Sequence, residues 1–307
     1  MQPTERMTEL NPMDPRPRSG DKDLLRDALR DQADRGRTKS DIVLLSVQRL
    51  LHRGAITNLA KMLSRMHQAD VARVIMHLSS PKEKREVFEL VRGESKRGQV
   101  LSELDSDSIN QVLADLLHSD IAWLIKDLGP DDAAYLLGVL PEERAKEILS
   151  LMREEDSTEV ADLLKYPKDT AGGIMTTEFL ALSEDAMAQE AIQRLQLATD
   201  AEMVFYIYVT DKDERLVGVL SLRRLLTAPP TTPLKNIATR DVISVTVDMD
   251  QEEVARQVAS YNLLAIPVID NDNRLVGIIT VDDVVDVIRE EATEDMLKMA
   301  GAIEEDS

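Results

Sequence analysis

The chain has 307 residues, of which 43% are hydrophobic and 31% charged, and its formal net charge is −20. A chain of this length and apolar content can bury two or three hydrophobic cores. It contains no cysteine, which excludes disulfides, zinc–thiolate sites and thiol nucleophiles. The sequence has no run of about 18 apolar residues, so no membrane span is predicted and the chain itself is expected to be soluble.

The negative charge is concentrated near the C-terminus. Residues 241–307 hold 17 acidic and 4 basic side chains, a net charge of −13. A field of that sign repels phosphates and argues against nucleic-acid binding. It attracts cations, although an acidic surface can also serve solubility alone.

The first half of the chain has apolar residues at helical spacing. Residues 1–20 are predicted to be a disordered tail, and residues 21–166 a series of short amphipathic helices. Four leucines recur every twelve residues, at Leu104, Leu116, Leu128 and Leu140. Helix-start signals lie between them, at residues 105–108, Ser119, residues 129–131 and Pro141. Helices this short must stack on their neighbours, so the pattern predicts a helical-repeat superhelix.

A connection follows at residues 167–174. Pro167, an Asp-Thr pair and the pair Gly172-Gly173 cannot form the interior of a helix or strand. A shaped link between two domains is therefore expected, and Gly172 and Gly173 are the predicted positions of a hinge.

The second half contains an internal duplication. Residues 215–226 resemble 274–285 at an offset of 59, and residues 178–183 resemble 241–246 at an offset of 63. Each copy is predicted to run strand, helix, strand, tight turn, strand, helix. In the second copy the predicted strands are Val242–Val247, Ala265–Ile269 and Leu275–Thr280, and the predicted helix is Gln251–Tyr261.

This duplicated βαββα order resembles a tandem cystathionine-β-synthase-type (CBS) pair, over residues 175–230 and 235–290. The string Tyr-Pro-Lys-Asp-Thr-Ala-Gly-Gly-Ile-Met-Thr-Thr at 166–177 resembles the cytosolic region of MgtE-type magnesium transporters, as do residues 206–209, 282–288 and 290–298. The predicted fold is therefore α+β: an all-α helical-repeat domain, a tandem CBS pair and a C-terminal connecting helix at 281–299. Residues 300–307 are predicted to be a second tail.

The resemblance implies a regulatory region that senses intracellular Mg²⁺, not an enzyme. Mg²⁺ bound between acidic faces of the helical and CBS domains would close the region and gate a membrane pore. The implied partners are a second copy, paired through the CBS domains, and the transmembrane pore domain of the same polypeptide if the chain is a fragment. The implied location is the cytoplasmic face of the membrane. The alternative is a stand-alone CBS adaptor that binds adenine nucleotide and scaffolds a protein.

Carboxylates form a stripe on the predicted connecting helix. They lie at Asp283, Asp286, Glu290 and Glu294, spaced three, four and four residues apart. Like charges at this spacing repel one another, so a bound cation would stabilise the helix. A solvated helix face is the alternative explanation.

The resemblance adds Asp131, Asp132 and Asp282 to these metal candidates, with Asp131 or Asp132 and Asp283 bridging the two domains. Asp131 could equally serve the start of its own helix. Secondary metal candidates are Asp248, Asp250 and Glu252, for which Asp250 as a helix cap is the alternative. The family often has an acidic residue at the position of Asn262, so one ligand of the second copy is expected to be weakened.

For a nucleotide such as ATP, the resemblance implies contacts from Tyr206, Tyr208, Arg223, Ala265 and Pro267. The two tyrosines could equally be strand residues with one buried face. No Ser/His/Asp set or paired-acid arrangement indicates catalysis.

Overall fold

The computed structural model describes residues 41–197, 205–289, 291 and 292. The chain divides into two compact units, residues 1–62 and 63–307. In the first unit residues 41–52 form helix α1, and α2 (Ile56–Leu63) begins there. Among the described residues no helix has both the length and the apolar character that a membrane span requires. The predicted tails at 1–20 and 300–307 lie outside the described residues.

The second unit opens with a run of short helices, here called the helical domain. They are α3 (Gln68–Met76), α4 (Pro81–Glu89), α5 (Glu94–Ser102), α6 (Ser106–Leu113), α7 (His118–Ile125), α8 (Pro130–Val139), α9 (Glu142–Leu149) and α10 (Glu154–Leu163). Each odd-numbered helix from α3 contacts the next odd-numbered one, and each even-numbered helix contacts the next even-numbered one. The helices therefore stack in two layers, which confirms the predicted helical-repeat domain.

Local sequence determines where these helices begin. The Asp105 carboxylate accepts the N–H of Ser108 at 2.7 Å, which caps α6. Pro130 lies in the first turn of α8, where its missing N–H leaves no hydrogen bond unmade, and Pro141 precedes α9. The cap predicted at Ser119 lies two residues too late, because Leu117 is the N-cap of α7 and Ser119 lies in its first turn.

Two three-stranded sheets follow. Copy 1 contains β1 (Ala181–Ser183), α11 (Ala188–Leu197), β2 (Tyr206–Thr210), β3 (Leu216–Ser221) and α12 (Leu222–Thr227). Copy 2 contains β4 (Val245–Thr246), α13 (Gln251–Tyr261), β5 (Ala265–Ile269), β6 (Leu275–Thr280) and a helix, α14, at residues 281–289. In each copy the first two strands are parallel and the last two antiparallel. The duplication predicted from the sequence is thus a structural repeat.

The predicted elements of copy 2 are confirmed for α13, β5 and β6, but the predicted strand Val242–Val247 is too long. Only Val245 and Thr246 are paired residues of β4. The Val247 N–H still donates to the Ile269 carbonyl at 3.2 Å, but its own carbonyl accepts the N–H of Gly172 at 2.9 Å. Of the predicted connecting helix, residues 281–289, 291 and 292 are helical, and the remainder lies outside the described residues.

The two copies exchange short extended segments. Thr176, which precedes copy 1, forms an antiparallel bridge with Ile278 on β6 of copy 2. Thr239, which precedes copy 2, forms the same bridge with Val219 on β3 of copy 1. These segments are also equivalent in sequence, since residues 174–177 and 237–240 are offset by 63. Each sheet is therefore completed by the chain leading into the other copy.

The connecting segment is packed onto copy 2. The N–H of Ala171 donates to the Met249 carbonyl at 2.7 Å, and Gly172 donates to Val247. Neither Gly172 nor Gly173 has a positive φ. A Cβ on Gly173 would lie 2.2 Å from the Pro167 carbonyl oxygen, so glycine is required there by close packing. The hinge at these glycines stays a prediction.

Candidate functional site

Asp131 and Asp132 project from the first turn of α8. The Asp131 carboxylate accepts the backbone N–H groups of Asp131 and Asp132, so it folds back on its own helix start. Gly129 leaves the space for this conformation, because a Cβ there would lie 2.7 Å from an Asp131 carboxylate oxygen. The expected helix-start role of Asp131 is therefore present in the structure.

Asp282 and Asp283 begin α14, directly after β6. The backbone N–H and the hydroxyl of Thr280 both donate to one carboxylate oxygen of Asp283, at 3.3 and 2.5 Å. This is a helix cap in which a threonine at the strand end holds the carboxylate three residues later. These hydrogen bonds hold the Asp283 carboxylate beside Thr280, the last residue of β6.

The structure brings these two acidic pairs together. Burial raises the pKa of Asp132 to about 7, and the charges of Asp131 and Asp283 contribute to that shift. Burial likewise raises the pKa of Asp283 to about 7, with further contributions from Asp131 and Asp282. The pKa of Asp131 is also raised, mainly by burial and in part by Asp282. Carboxylates from the helical domain therefore lie close enough to carboxylates of copy 2 to repel them, in a partly buried region.

Hydroxyl side chains also act on the three partly buried carboxylates. Thr280 donates a hydrogen bond to Asp283. Thr176 lowers the pKa of Asp131 and Ser102 lowers that of Asp132, against the larger effect of burial. Only the Thr280–Asp283 contact, three residues apart, could have been found in the sequence as a capping pattern. Thr176 and Ser102 come from distant positions in the chain, and sequence reasoning missed them.

A second acidic contact involves Glu103 of the helical domain and Asp286 of α14. Burial raises the pKa of Glu103, and the Asp286 charge raises it further. The positive charges of Arg289 and Arg73 act in the opposite direction. This contact is thus partly neutralised, and Glu103 is a further residue that sequence reasoning missed.

The paired carboxylates suit a hard, hydrated cation better than a closed metal cage. Within the described part of the chain, no three His, Cys, Asp or Glu side chains converge as ligands of a single ion. Mg²⁺ typically takes one or two carboxylates directly and keeps several waters. The main charges that act on Asp131, Asp132 and Asp283, among the residues described, are those of other carboxylates. The oxygen donors and their uncompensated charge therefore fit Mg²⁺.

The remaining acidic candidates have other surroundings. Asp250 caps α13 by accepting the N–H of Glu252 at 2.9 Å, and the Glu252 carboxylate pairs with Arg256. Asp248 is exposed on the chain leading to α13. A metal role for these three stays a prediction, and Glu290 and Glu294 lie outside the described residues.

Comparison with known proteins identifies the family. Residues 66–169 match the MgtE intracellular N domain, and residues 171–231 and 234–290 each match the CBS domain. The crystal structure of the cytosolic domain of the Mg²⁺ channel MgtE in complex with ATP is 36% identical, with a TM-score of 0.70, and the match covers 80% of this chain and 99% of that one. The chain belongs to the MgtE family.

Other relatives agree with this membership. The soluble part of a magnesium transporter is 31% identical, with a TM-score of 0.66, and the match covers 82% of this chain and 99% of that one. The magnesium transporter MgtE of Thermus thermophilus is 49% identical over 141 residues, 46% of this chain and 31% of the relative. The match to that of Enterococcus faecalis is 45% identical and spans 45% of this chain and 31% of the relative. The chain thus aligns with about a third of the length of these curated MgtE proteins.

In this MgtE-family chain, three of the residues predicted to contact a nucleotide lie together between the two CBS copies. Tyr208 and Ala265 are buried in one apolar cluster, and Tyr206 packs against it. The Tyr208 hydroxyl is buried and, among the described residues, has no hydrogen-bond partner. Burial raises its pKa above the ordinary value, and Tyr206 adds to the shift. A buried hydroxyl without a partner is unfavourable unless a ligand or water satisfies it.

The other two nucleotide candidates lie in different environments. Pro267 is buried on β5 opposite Ile278, whereas Arg223 is exposed on α12. Asn262, where an acidic ligand was expected from the resemblance, ends α13 in the left-handed conformation with φ of 51°. Asparagine tolerates this conformation better than most residues, which gives Asn262 a structural reason for its position.

Proposed function

We propose that this chain is the intracellular Mg²⁺-sensing region of a magnesium transporter or channel. It would act at the cytoplasmic face of the membrane, by binding an ion and not by catalysing a reaction. The observation that carries the proposal is the proximity of Asp131 and Asp132 to Asp282 and Asp283, with burial and like charge raising the pKa values of Asp131, Asp132 and Asp283. Family membership supports the choice of Mg²⁺.

The residues suggest how sensing works. Without a cation, the ionised carboxylates of α8 and α14 repel one another and favour separation of the helical domain from copy 2. Mg²⁺ supplies positive charge and ordered waters between them, so the compact arrangement gains free energy equal to its advantage in Mg²⁺ affinity. Because Asp282, Asp283 and Asp286 all lie on α14, closure would fix this helix. The helix would then transmit closure to the pore.

Small-angle scattering tests the mechanism. We expect Mg²⁺ at millimolar concentration to reduce the radius of gyration relative to a Na⁺ solution of equal ionic strength. The Asp283→Ala variant should fold normally but need about tenfold more Mg²⁺ for the same compaction, since it loses one of the charges that bind the ion. A wild-type radius that does not respond to Mg²⁺ would rule out the mechanism.

ATP is the second ligand we propose, at the contact between the two CBS copies. The partnerless hydroxyl of Tyr208 supports it, as does the ATP complex of the structural relative. Tyr208→Phe should weaken ATP binding about tenfold in calorimetry, because one hydrogen bond is lost. It should also raise the melting temperature of the ATP-free protein, because no hydroxyl is then buried without a partner.

Tyr135→Phe is the matched control for ATP binding. It removes a hydroxyl that donates to the Leu104 carbonyl within the helical domain, so we expect unchanged ATP affinity. Equal ATP affinity in wild type and Tyr208→Phe would exclude the Tyr208 hydroxyl as a ligand. Absence of ATP binding by the wild type would exclude the nucleotide proposal.

We also propose a homodimer formed through the CBS domains. Leu226 on α12 and Val285 on α14 are equivalent positions at the offset of 59, and their side chains are 65% and 40% exposed. Ile288 and Tyr261 extend the apolar surface of copy 2. Matching apolar surfaces on a pseudo-symmetric pair suit a partner with the same symmetry.

Sedimentation measures the dimer directly. We expect Ile288→Glu to shift the protein to monomer, because a carboxylate would be buried in an apolar interface. Leu117→Glu, at an exposed leucine of the helical domain, is the control and should leave the dimer unchanged. A wild-type monomer at high concentration would contradict the proposal.

A further inference from the structure

Gln251, the first residue of α13, is a buried glutamine at a point that two other elements reach. Only 9% of its surface is exposed, which is uncommon for an amide side chain. Its backbone N–H donates to the Asp169 carbonyl of the connecting segment at 3.0 Å. Its side-chain Nε2 donates to the carboxylate of Glu291, a helical residue two positions beyond α14, at 2.9 Å. Gln251 is therefore hydrogen-bonded both to the segment that enters the CBS pair and to the helix that leaves it.

The equivalent position in copy 1 has the same backbone contact but an apolar side chain. Ala188 is the first residue of α11, lies 63 residues before Gln251 and is fully buried in the apolar cluster of copy 1. Its N–H donates to the Thr232 carbonyl at 2.9 Å, and Thr232 is equivalent to Asp169 at the same offset. The backbone contact thus does not require a glutamine. The buried amide of Gln251 is instead accounted for by its side-chain partner, Glu291.

The two copies differ here because their last helices differ in length. In copy 1, α12 ends at Thr227, and the chain returns through Thr232 to the start of α11. In copy 2, residues 281–289, 291 and 292 are helical, and the side chain of Glu291 reaches the start of α13. A carboxylate is favoured at this place, because the free N–H groups of a helix start carry partial positive charge. The Gln251–Glu291 pair is therefore a feature of the extended helix and not of the repeat.

We propose that Gln251 is a positioning residue for α14, through which the connecting segment is coupled to the connecting helix. A buried amide without its partner is unfavourable, so α14 is stabilised in the orientation that keeps Glu291 at the start of α13. Because Gln251 also binds Asp169, a movement of the connecting segment that shifts α13 shifts Glu291 with it. The inference rests on the proposed Mg²⁺-sensing function only for the direction of the signal, from the helical domain to α14.

Hydrogen–deuterium exchange of the backbone amides of residues 286–292 measures how firmly the end of this helix is held. Gln251→Ala introduces the side chain that copy 1 has at this position. It should speed exchange of these amides about tenfold in EDTA and in Mg²⁺, because one hydrogen bond is lost. Mg²⁺-driven compaction in small-angle scattering should be unchanged, since no carboxylate is removed. Gln257→Ala is the matched control on α13, where the amide contacts the Met249 sulfur at 3.5 Å, and it should change neither measurement.

A reversed pair separates the hydrogen bond from a loss of packing. Gln251→Glu alone sets two carboxylates against each other and should speed exchange more than Gln251→Ala does. Adding Glu291→Gln to it restores one donor and one acceptor, and exchange should return close to the wild-type rate. If Gln251→Ala does not fold, the comparison of Gln251→Glu with the double variant gives the same test.

The outcomes distinguish this inference from the proposed function. Wild-type exchange of residues 286–292 in Gln251→Ala, or an equal effect of Gln257→Ala, overturns the inference and leaves Mg²⁺ sensing intact. A double variant that exchanges as fast as Gln251→Glu also overturns it. A wild type that does not compact in Mg²⁺, but whose exchange still depends on Gln251, contradicts the sensing function and supports the positioning of α14.

Discussion

Replacing Asp132 and Asp283 together by asparagine should stabilise the Mg²⁺-free protein and abolish its response to Mg²⁺. At about pH 8 both wild-type carboxyls are ionised in a partly buried contact with Asp131 and Asp282, although burial and like charge raise their pKa values to about 7. Removing both charges removes this repulsion and should raise the free energy of unfolding by an amount on the order of 1–3 kcal/mol. The amide oxygen of an asparagine at position 283 still accepts the hydrogen bonds from Thr280.

Thermal unfolding in EDTA and in Mg²⁺ measures both effects. The melting temperature of the wild type should be lower in EDTA than in Mg²⁺, because a ligand that binds the folded state stabilises it. The double variant should melt at one high temperature in both solutions. Asp213→Asn with Asp272→Asn is the matched control, since it removes two exposed charges at equivalent hairpin turns. A double variant that melts below the wild type in EDTA would contradict the explanation.

Without Mg²⁺, the stability of the protein should fall as pH rises from about 4 to above 7. The carboxyls of Asp132 and Asp283 have the ordinary aspartate pKa of 3.8 in the unfolded chain and a pKa of about 7 in the folded protein. Between these values the folded state binds more protons than the unfolded state, so raising the pH favours unfolding. Protonation of these two carboxyls therefore stabilises the folded protein fully below the pKa of the unfolded chain. This stabilisation is lost as the pH rises through the pKa of the folded protein.

The double asparagine variant isolates this contribution from all other titrating groups. The difference in melting temperature between variant and wild type should be small at about pH 4.5 and largest at about pH 8. The pKa of Asp211 is shifted in the opposite direction to those of Asp132 and Asp283, because the backbone N–H groups of Arg215 and Asp213 donate hydrogen bonds to its carboxylate. Mg²⁺ binding near neutral pH should also release protons, which calorimetry in buffers of different ionisation enthalpy detects. A difference that does not vary with pH would contradict the assignment.

Much of the site could be anticipated because its residues carry local signals. Asp131 follows Pro130 at a helix start, and Asp283 follows a strand that recurs 59 residues earlier. Those patterns locate the carboxylates on particular elements. They also explain why Asp250 was open to two interpretations, since a helix cap and a metal ligand use the same oxygen atoms.

The residues missed are those whose role depends on contacts between distant segments. Ser102, Glu103 and Thr176 have ordinary local patterns, and each contributes to the site through a residue on another element. A hydroxyl that acts on a distant carboxylate leaves no periodicity in the sequence. For the same reason the strand exchange of Thr176 and Thr239 could not be predicted, although the repeat that contains them could.

The sequence by itself determined the helical-repeat domain, the duplicated βαββα order and the connection between them, because apolar periodicity, caps and turns act over a few residues. It also determined the excess of negative charge on copy 2. Only the tertiary structure decided which carboxylates meet, that burial raises their pKa values, and that the connecting segment is packed onto copy 2. Charge–charge interaction and burial depend on distance in space, and the fold alone sets those distances.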